Sequence, residues 1–389
     1  YPLQSEKNSM PVKKKNIIYF HLGGLGDSIH DLSVLSQLLE EFPDGQIYYI
    51  CNKGGKAILR YSHYWKRINI ITIDNKIDVI LAIIRAPFKA DFFIAGCGSN
   101  IAKVNIFKRF LFPRISGASI PDYPDLKLIN FWTKVSTFDV LLQPIKGAHR
   151  VFTNWSLMNL MGIRGEMHSP KLNYSKIRDT KLPVEINKMI AKEYLVVHHG
   201  AATLDSLKHF DGLKFSDTID RIIEKYDLGV VIVGGVQEVH ASNKIISLCK
   251  NSDHILDLTG SMSLSQLMKV VFNSKLVLGT DSGPGHIAAA LGVPTVSIFG
   301  PTDPRQCSPL TSNGYVVYQP IECSPCYLSD NYAKCINNIC MKSIRVHSVV
   351  QAVSIVVEDS NYDEIEEKYD FSVEKCASTI LLQGMECVK

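Results

Sequence analysis

The feature that most constrains the fold is a recurrence of short, nearly continuous apolar runs. These runs lie at residues 16–20, 46–50, 194–197, 229–233, 275–278 and 294–299. A strand with apolar residues at successive positions is buried on both faces, as in a parallel sheet that helices cover on each side. Between Asp27 and Phe42, apolar residues recur at helical spacing, so a helix follows the first strand. We therefore predict an α/β fold.

The same order of strand, turn and helix restarts at Tyr194, after a polar, helix-poor stretch that contains Pro170 and Pro183. We predict a first Rossmann-like domain at residues 14–168, a linker at 169–192 and a second Rossmann-like domain at 193–356. The tail, residues 357–389, is of uncertain packing. Glycine-rich turns follow the opening strand of each half. Because ligands of open parallel sheets bind beyond the carboxyl ends of the strands, we expect a binding cleft between the domains.

Composition excludes several classes of protein. The 389 residues are 46% apolar with a formal charge of +4, and the basic residues form no block, so a nucleic-acid partner is not expected. No apolar run approaches the length of a membrane span, and the first residues lack the layout of a signal peptide. We expect a cytoplasmic protein. Because position 1 is Tyr and not Met, we expect either a start further upstream or a leader segment. Residues 1–13 are therefore left out of the fold prediction.

The turn at residues 279–286 has the composition of an anion-binding site. Two glycines allow close approach of a ligand to the backbone, hydroxyl groups can donate, and amides at a helix start favour a phosphate. The candidate donor-binding residues are Thr280, Asp281, Ser282, Gly283, Pro284, Gly285 and His286. The alternative is a tight strand-to-helix turn in which Asp281 or Ser282 only caps the helix.

The first turn, residues 21–30, completes neither a P-loop nor a dinucleotide-binding motif. Asp27 is a candidate general base facing the cleft, since a carboxylate can deprotonate a sugar hydroxyl. Its alternative role, or that of Ser28, is a helix N-cap. His30, about one helical turn later, would be a neighbour of the base, although a lone histidine is more often structural.

Two residues of the second half are further candidates. Lys208 can neutralise charge on a leaving diphosphate, but its pattern does not distinguish it from a solvated surface lysine. Glu238 follows a glycine turn, a position where an acidic side chain can accept hydrogen bonds from ribose hydroxyls. The alternative is a Glu at a helix start that interacts favourably with the helix dipole.

Together these segments resemble glycosyltransferase family 9, the bacterial heptosyltransferases of the GT-B fold. The resemblance rests on residues 26–30, the Lys208 loop, the turn with Glu238, and residues 281–286 and 299–304. It implies two Rossmann-like domains facing across a cleft and inverting, metal-independent transfer from ADP-heptose to a saccharide, such as a lipopolysaccharide core, or to a protein. It implies Asp27 as the base, Lys208 as the phosphate contact, Glu238 as the ribose contact, and a donor site that includes Gly26 and residues 281–286.

Four cysteines, Cys323, Cys326, Cys335 and Cys340, lie within a Cys-rich loop at residues 323–340. Four thiols are enough for a closed tetrahedral site, so we predict a structural Fe or Zn ion and no catalytic metal. Similar iron-bearing loops occur in the branch of the family that glycosylates autotransporter proteins. The alternative is a set of reduced, partly buried thiols.

A basic and apolar stretch, residues 103–114, lies in the first domain, residues 14–168, which we predict to be on the acceptor side. It suits anionic lipid or a phosphorylated saccharide, and so a peripheral membrane contact, but a core helix with solvated lysines is the favoured interpretation. Homo-oligomers are compatible with the sequence. Two other hypotheses stay open: a GT-B transferase or epimerase that uses another nucleotide-sugar, and a non-catalytic sugar-nucleotide-binding protein.

Overall fold

The computed structural model describes residues 14–119, 137–143, 147–190, 193–200, 207–327, 329–358 and 372–375. Over these ranges the chain forms two sheets with helices on both faces. None of the helices in the described ranges is both long and apolar enough to span a bilayer.

The strand order in the first sheet is β3-β2-β1-β4-β5-β6, and in the second it is β13-β12-β11-β10-β7-β8-β9. The strands are β1 (Asn16–Phe20), β2 (Gln46–Cys51), β3 (Ile68–Thr72), β4 (Phe92–Ala95), β5 (Ile115–Ser119), β6 (Val140–Leu142), β7 (Tyr194–His198), β8 (Gly229–Ile232), β9 (Ile255–Asp257), β10 (Val277–Thr280), β11 (Thr295–Phe299), β12 (Gly314–Tyr318) and β13 (Ser372–Lys375). Every pairing is parallel except that of β12 with β13.

The α-helices cover both sheets. They are α1 (Leu25–Glu41), α2 (Lys53–Leu59), α3 (Lys76–Arg85), α4 (Ile101–Leu111), α5 (Arg150–Leu160), α6 (Val184–Ile190), α7 (Gly212–Tyr226), α8 (Val239–Leu248), α9 (Leu264–Phe272), α10 (Gly283–Leu291), α11 (Pro304–Cys307), α12 (Asp330–Ala333), α13 (Ile339–Lys342) and α14 (Val346–Val357). Short 3-10 helices cover Trp65–Arg67, Tyr174–Lys176, Val236–Glu238 and Ser252–His254.

The burial of β1 shows why the apolar runs are continuous. Ile17 and Tyr19 pack into an apolar cluster on one face of the sheet, and Ile18 and Phe20 pack into another cluster on the opposite face. Each face needs its own apolar residues because helices cover both faces. The predicted α/β fold class is confirmed.

In the second domain, β10 lies two residues later than predicted. We expected a strand at 275–278 and a turn at 279–286, whereas β10 ends at Thr280 and α10 begins at Gly283. Pairing with β7 and β11 extends the strand through Gly279 and Thr280. A Cβ at Gly279 would lie 2.8 Å from the carbonyl oxygen of His198, so only glycine fits the strand there. Residues that we assigned to a turn therefore form the first turn of a helix.

The two domains share one apolar cluster, which extends from α1 and β1 to β10 and α10. The connecting chain contacts both domains: Leu172 N donates to Ala290 O at 2.9 Å, and Asn173 N donates to Tyr61 O at 2.7 Å. Helices α1 and α10 also contact each other directly. The carboxyl ends of the strands in both domains therefore face a common cleft. Of the predicted tail, the structure describes residues 357 and 358 and β13, and the remainder lies outside the described residues.

Candidate active site

The site begins where α1 and α10 meet, at the carboxyl ends of β1 and β10. A Cβ at Gly26 would lie 2.6 Å from the ring of His286, and a Cβ at Gly283 would lie 2.7 Å from the side chain of Leu25. Both glycines therefore allow close contact between helices of different domains. We had assigned Gly26 and Gly283 to donor binding, but in the structure their Cα atoms face protein.

Asp27 lies in the first turn of α1, and its side chain is 26% exposed. One carboxylate oxygen accepts a hydrogen bond from the backbone N–H of Gly24 at 2.9 Å, and the other forms an ion pair with the Arg150 guanidinium. Burial alone would raise the pKa of this carboxyl, but Arg150, then His21 and the Gly24 amide, outweigh it, so the pKa of Asp27 lies below its ordinary value. Asp27 is therefore an ionised carboxylate of fixed orientation.

Arg150 is a site residue that the sequence analysis missed. It is the first residue of α5, which packs on the first sheet, and it reaches Asp27 across 123 positions of sequence. Burial would lower its pKa, but Asp27 outweighs burial and holds the pKa of Arg150 above its ordinary value, with a further contribution from Asp281. The positive charge of Arg150 thus acts on a carboxylate of each domain, Asp27 and Asp281. No local motif marks it, because its partner is fixed only by the tertiary fold.

Lys208 forms an ion pair with Asp281 within the second domain, with 2.6 Å between Nζ and Oδ2. The same oxygen accepts a hydrogen bond from Thr302 at 2.9 Å. Burial would lower the pKa of Lys208, but Asp281 outweighs it, so the lysine stays protonated. Lys208 is therefore a cation fixed by an ion pair near the start of α10. The alternative interpretation, a solvated surface lysine, is wrong.

The Lys208 ammonium also lies 4.2 Å from the ring centroid of Tyr327, within reach of a cation–π interaction. Tyr327 belongs to the Cys-rich loop and packs edge-on against Tyr332. In addition, the Asn338 side chain donates to the carbonyl of Leu207 at 3.1 Å. The Cys-rich loop thus forms one wall around Lys208, a neighbourhood that the sequence did not reveal.

The hydroxyl groups at residues 280 and 282 are engaged inside the protein. Thr280 is 2% exposed and donates to the carbonyl of Gly200. The Ser282 hydroxyl lies 2.8 Å from His198 Nδ1 and donates to the Thr280 carbonyl at 2.9 Å. We expected both hydroxyls to be donors toward a ligand, but these bonds fix the backbone of the turn instead. The alternative of a side-chain cap is also wrong for Ser282, since its hydroxyl makes no cap bond.

The next residues of the turn are packed against the protein as well. Pro284 and Gly285 are buried in the first turn of α10, and a Cβ at Gly285 would lie 3.3 Å from Pro309. The part of the predicted anion site that remains available is the set of amides at the start of α10, beside the Lys208 and Asp281 side chains.

Glu238 lies at the end of a 3-10 helix after β8 and is 9% exposed. Its Oε2 accepts from the Gly235 N–H at 2.6 Å and lies 3.4 Å from His198 Nε2. Burial would raise the pKa of the carboxyl, but the hydrogen bond and charge of His198 outweigh it, so this pKa is lowered. Its Oε1 has no hydrogen-bond partner among the described residues. A Cβ at Gly200 would lie 1.4 Å from this oxygen, so glycine is required there. Glu238 therefore presents an ionised acceptor atom at the end of β7.

His30 lies inside the packing between the domains, about one helical turn after Asp27 in α1. It is 3% exposed, and its ring packs edge-on against His149 and His286, with centroids 4.9 and 4.8 Å apart. Burial first, then the charges of neighbouring groups, lower the pKa of His30 well below its ordinary value. His30 is thus neutral and in contact with other rings. Its burial and ring contacts match the alternative of a structural histidine, and a catalytic role for His30 stays a prediction.

Of the four cysteines of the Cys-rich loop, Cys340 is buried, Cys326 and Cys335 are half-buried and Cys323 is exposed. Burial, then the neighbouring thiols, raise the pKa of Cys340 to about 11 and also raise that of Cys326. Across the described ranges, no group of three or more His, Cys, Asp or Glu side chains has the arrangement of a metal site.

The geometry defines a class of enzyme. Two Rossmann-like domains face across a cleft that holds a carboxylate on one side and a cation at a helix start on the other, as in GT-B glycosyltransferases. The chain matches the model of glycosyltransferase family 9, the heptosyltransferase family, over residues 142–337, which is half of its length. The chain belongs to glycosyltransferase family 9 and is a glycosyltransferase.

Individual proteins agree with this assignment. The chain is 24% identical over 311 residues to lipopolysaccharide heptosyltransferase 3 of Escherichia coli, covering 74% of this chain and 84% of that protein. It is similar in structure to a family 9 glycosyltransferase of Veillonella parvula, with a TM-score of 0.71, 16% identity and coverage of 91% of this chain and all of the other. The ADP-heptose lipopolysaccharide heptosyltransferase II of Escherichia coli gives a TM-score of 0.64 at 16% identity, covering 89% of this chain and 99% of the other. The GT-B prediction is confirmed.

A further structural neighbour bears on the cysteines. It is the iron-containing dodecameric glycosyltransferase TibC of enterotoxigenic Escherichia coli, with a TM-score of 0.54 and 13% identity over 90% of this chain and 78% of that one. At this identity the similarity concerns the fold.

Proposed function

We propose that this enzyme transfers heptose from ADP-heptose to a hydroxyl group of a lipopolysaccharide-core saccharide, with inversion at the anomeric carbon. The donor and acceptor are supported by the names of the relatives, which are lipopolysaccharide or lipooligosaccharide heptosyltransferases. We further propose that the enzyme is cytoplasmic and that a lipid-anchored acceptor places it at the inner face of a membrane.

The observation that carries the proposal is the placement of Asp27 and the Lys208–Asp281 pair on opposite sides of one cleft, with Arg150 electrostatically coupled to both sides. A displacement at the anomeric carbon needs a base on the acceptor side and positive charge on the leaving-group side. This arrangement supplies both.

In the proposed step the acceptor oxygen attacks the anomeric carbon, and its proton passes to Asp27. Each oxygen of the Asp27 carboxylate uses one lone pair, for Arg150 or for the Gly24 amide, and keeps another for the acceptor hydroxyl. The bond from the anomeric carbon to the diphosphate breaks, and its electron pair leaves with the nucleoside diphosphate. Lys208 and the amides at the start of α10 stabilise the departing charge, so no catalytic metal is required.

We further propose that Glu238 binds the ribose of the nucleotide. Its Oε1 is a buried acceptor without a partner among the described residues, and a ribose hydroxyl would satisfy it. Asp281 then has a positioning role, since it holds the Lys208 ammonium and accepts from Thr302.

Replacement of Asp27 tests the mechanism. We expect Asp27→Asn and Asp27→Ala to lower transfer by about 10²–10⁴-fold and to leave donor binding nearly unchanged. The matched control is Asp217→Asn, because Asp217 is an exposed carboxylate in α7 that pairs only with Arg221 among the described residues. If the Asp27 variants turn over as fast as the wild type, Asp27 is not the base. If the wild-type protein itself binds donor but transfers no sugar, the non-catalytic hypothesis is supported.

The donor is tested by thermal shift and donor hydrolysis with ADP-, UDP- and GDP-sugars. We expect stabilisation by ADP-heptose, and stabilisation by a UDP-sugar alone would contradict the proposed donor. Offering both a deheptosylated core saccharide and an unmodified autotransporter polypeptide tests the acceptor. Transfer to the polypeptide alone would replace the saccharide with a protein hydroxyl.

We also propose that the four cysteines bind one structural Fe or Zn ion. Burial, then the neighbouring thiols, raise the pKa of Cys326 and Cys340, and a bound cation would offset both effects by stabilising the thiolates. Metal analysis of purified wild type and Cys323→Ser checks this. We expect about one metal ion per chain in the wild type and loss of metal in the variant. A metal-free wild type with full thermal stability would contradict it.

A further inference from the structure

Helix α3 has an apolar side that the described protein does not cover. Seven of its ten residues are aliphatic, yet Ala82 is the only residue of α3 that is buried. By contrast, the amphipathic helix α7 buries its apolar side against the second sheet. Ile80 and Ile84, one turn apart on α3, are 62% and 73% exposed. An apolar helix side that faces solvent needs an explanation other than core packing.

The apolar surface continues onto the neighbouring helix. Helix α4 contacts α3 and exposes Ile106 and Phe110, and the turns after the two helices expose Phe88 and Phe112. The Phe88 and Phe112 rings pack together with centroids 5.7 Å apart, which joins the two helices into one patch. We call this patch the α3–α4 face, comprising Ile80, Ile84, Phe88, Ile106, Phe110 and Phe112. All six side chains are between 57% and 73% exposed.

The favoured interpretation of residues 103–114, a core helix with solvated lysines, is right for the helix, since Val104, Phe107 and Leu111 pack in an apolar cluster, but wrong for Lys108. Lys108 is buried and donates to Ser116 at 3.0 Å and to the carbonyl of Thr137, while Ile106 and Phe110 face solvent. The side chain of Lys103 lies outside the described part of the chain. The chain therefore buries a lysine of α4 and exposes a phenylalanine.

The backbone at this face is strained. Of the three non-glycine residues with positive φ in the described chain, two lie here: Lys89 at 56° and Phe112 at 46°. A bulky residue in the left-handed region is costly, and such strain persists where a side chain must be presented in one direction. Phe112 occupies the position after α4 where glycine is usual. The chain thus retains both an unfavourable conformation and an exposed ring.

The charge around the face is positive. Arg85, Lys89, Arg109 and Arg114 are exposed at its margin. The carboxylate of Asp78 accepts hydrogen bonds from backbone amides at the start of α3, and that of Asp91 lies 3.5 Å from Arg114 and accepts from Asn16 N. Apolar side chains with a cationic margin match the acyl chains and anionic headgroups of a phospholipid bilayer. In a symmetric contact between two copies, the same cations would face one another, which disfavours self-association through this face.

We propose that the α3–α4 face docks on a bilayer of anionic phospholipid, with its isoleucine and phenylalanine side chains among the acyl chains. Helix α4 connects this face to the catalytic cleft. Gly98, three residues before α4, lies beside Arg150, because a Cβ there would be 3.9 Å from the guanidinium. Docking would therefore hold the base side of the cleft near a lipid-anchored acceptor. The value of docking for transfer rests on the proposed function, whereas docking itself requires no donor and no transfer.

The experiment is flotation of the full chain with vesicles, without donor or acceptor. One set of vesicles is phosphatidylcholine and the other is phosphatidylcholine with phosphatidylglycerol at roughly 3:1. We expect the wild type to float with the anionic vesicles, less so at high salt, and Ile84→Asp/Phe110→Asp to bind at least about tenfold more weakly. Arg85→Gln/Arg109→Gln should lose the preference for anionic vesicles.

The matched control is Leu160→Asp/Val184→Asp, which places the same charges at two exposed apolar residues outside the face and should bind as the wild type does. Donor hydrolysis and thermal unfolding confirm that each variant is folded, and transfer to a soluble, delipidated acceptor should be equal in Ile84→Asp/Phe110→Asp and the wild type. Equal vesicle binding by these two proteins, or a wild type that stays unbound, would overturn the proposal. The proposal would also be overturned if the wild type is an oligomer and the Ile84→Asp/Phe110→Asp variant is a monomer, because a second copy of the chain would then occupy the face.

Discussion

Replacement of Gly26 by alanine tests how rigidly the two domains are joined. The new methyl group would lie 2.6 Å from the Cδ2 atom of His286, about 1 Å closer than the 3.4–4 Å of ordinary contact. The His286 ring is 5% exposed and packs edge-on against His30, so it has little room to move. Either the ring or the whole of α1 must shift by about 1 Å.

Two opposing effects set the magnitude. Alanine in place of glycine favours a helix by up to about 1 kcal/mol, while overpacking a buried contact costs about 1–3 kcal/mol. We expect the overlap to win, with a decrease of a few degrees in Tm at about 2–4 °C per kcal/mol. Because Asp27 follows Gly26 directly and α10 begins two residues after Asp281, a shift of about 1 Å would also lower turnover by up to about a hundredfold.

The assay is thermal unfolding combined with turnover of the nucleotide-sugar donor. Gly212→Ala is the matched control: this glycine begins α7, and its Cβ would lie 3.6 Å from Ile245, in ordinary contact. We expect Gly212→Ala to leave Tm equal or higher and turnover unchanged. A further arm combines Gly26→Ala with His286→Ala, whose destabilisations should be less than additive because the second change removes the overlapping ring. Wild-type Tm and turnover in Gly26→Ala, or strict additivity in the pair, would refute the reasoning.

Three further predictions concern charge. Arg150→Met removes the cation that outweighs the effect of burial on Asp27, so the pKa of Asp27 rises and the acid limb of the kcat/KM profile moves to higher pH; an unmoved limb would contradict this. Tyr327→Leu removes the ring beneath Lys208, and we expect weaker donor binding by about two- to tenfold, with recovery in Tyr327→Phe. Burial lowers the pKa of His149 to about 4, so the folded state binds fewer protons than the unfolded chain and stability falls as the pH drops from about 6.5 toward 4. Tm measured against pH should fall less steeply in His149→Gln than in the wild type.

Much of the architecture follows from local sequence. The continuous apolar runs predict buried parallel strands because each strand must supply residues to both faces, as Ile17 and Ile18 do. The family was predicted from five short segments in the correct order, and it is confirmed. The assignments of Asp27, Lys208 and Glu238 remain predictions, but the structure shows that each carboxylate or ammonium group is ionised and held in place.

The sequence by itself determined the fold class, the family and the segments that form the cleft, because hydrophobic periodicity and turn chemistry are local properties of the chain. Only the tertiary structure decided which groups meet. It paired Asp27 with Arg150 and Lys208 with Asp281, and it placed Tyr327 beneath the ammonium group. It also turned the hydroxyls at residues 280 and 282 inward and left the α3–α4 face outward. These outcomes depend on contacts between residues far apart in sequence, and the ionisation of each group depends on those contacts.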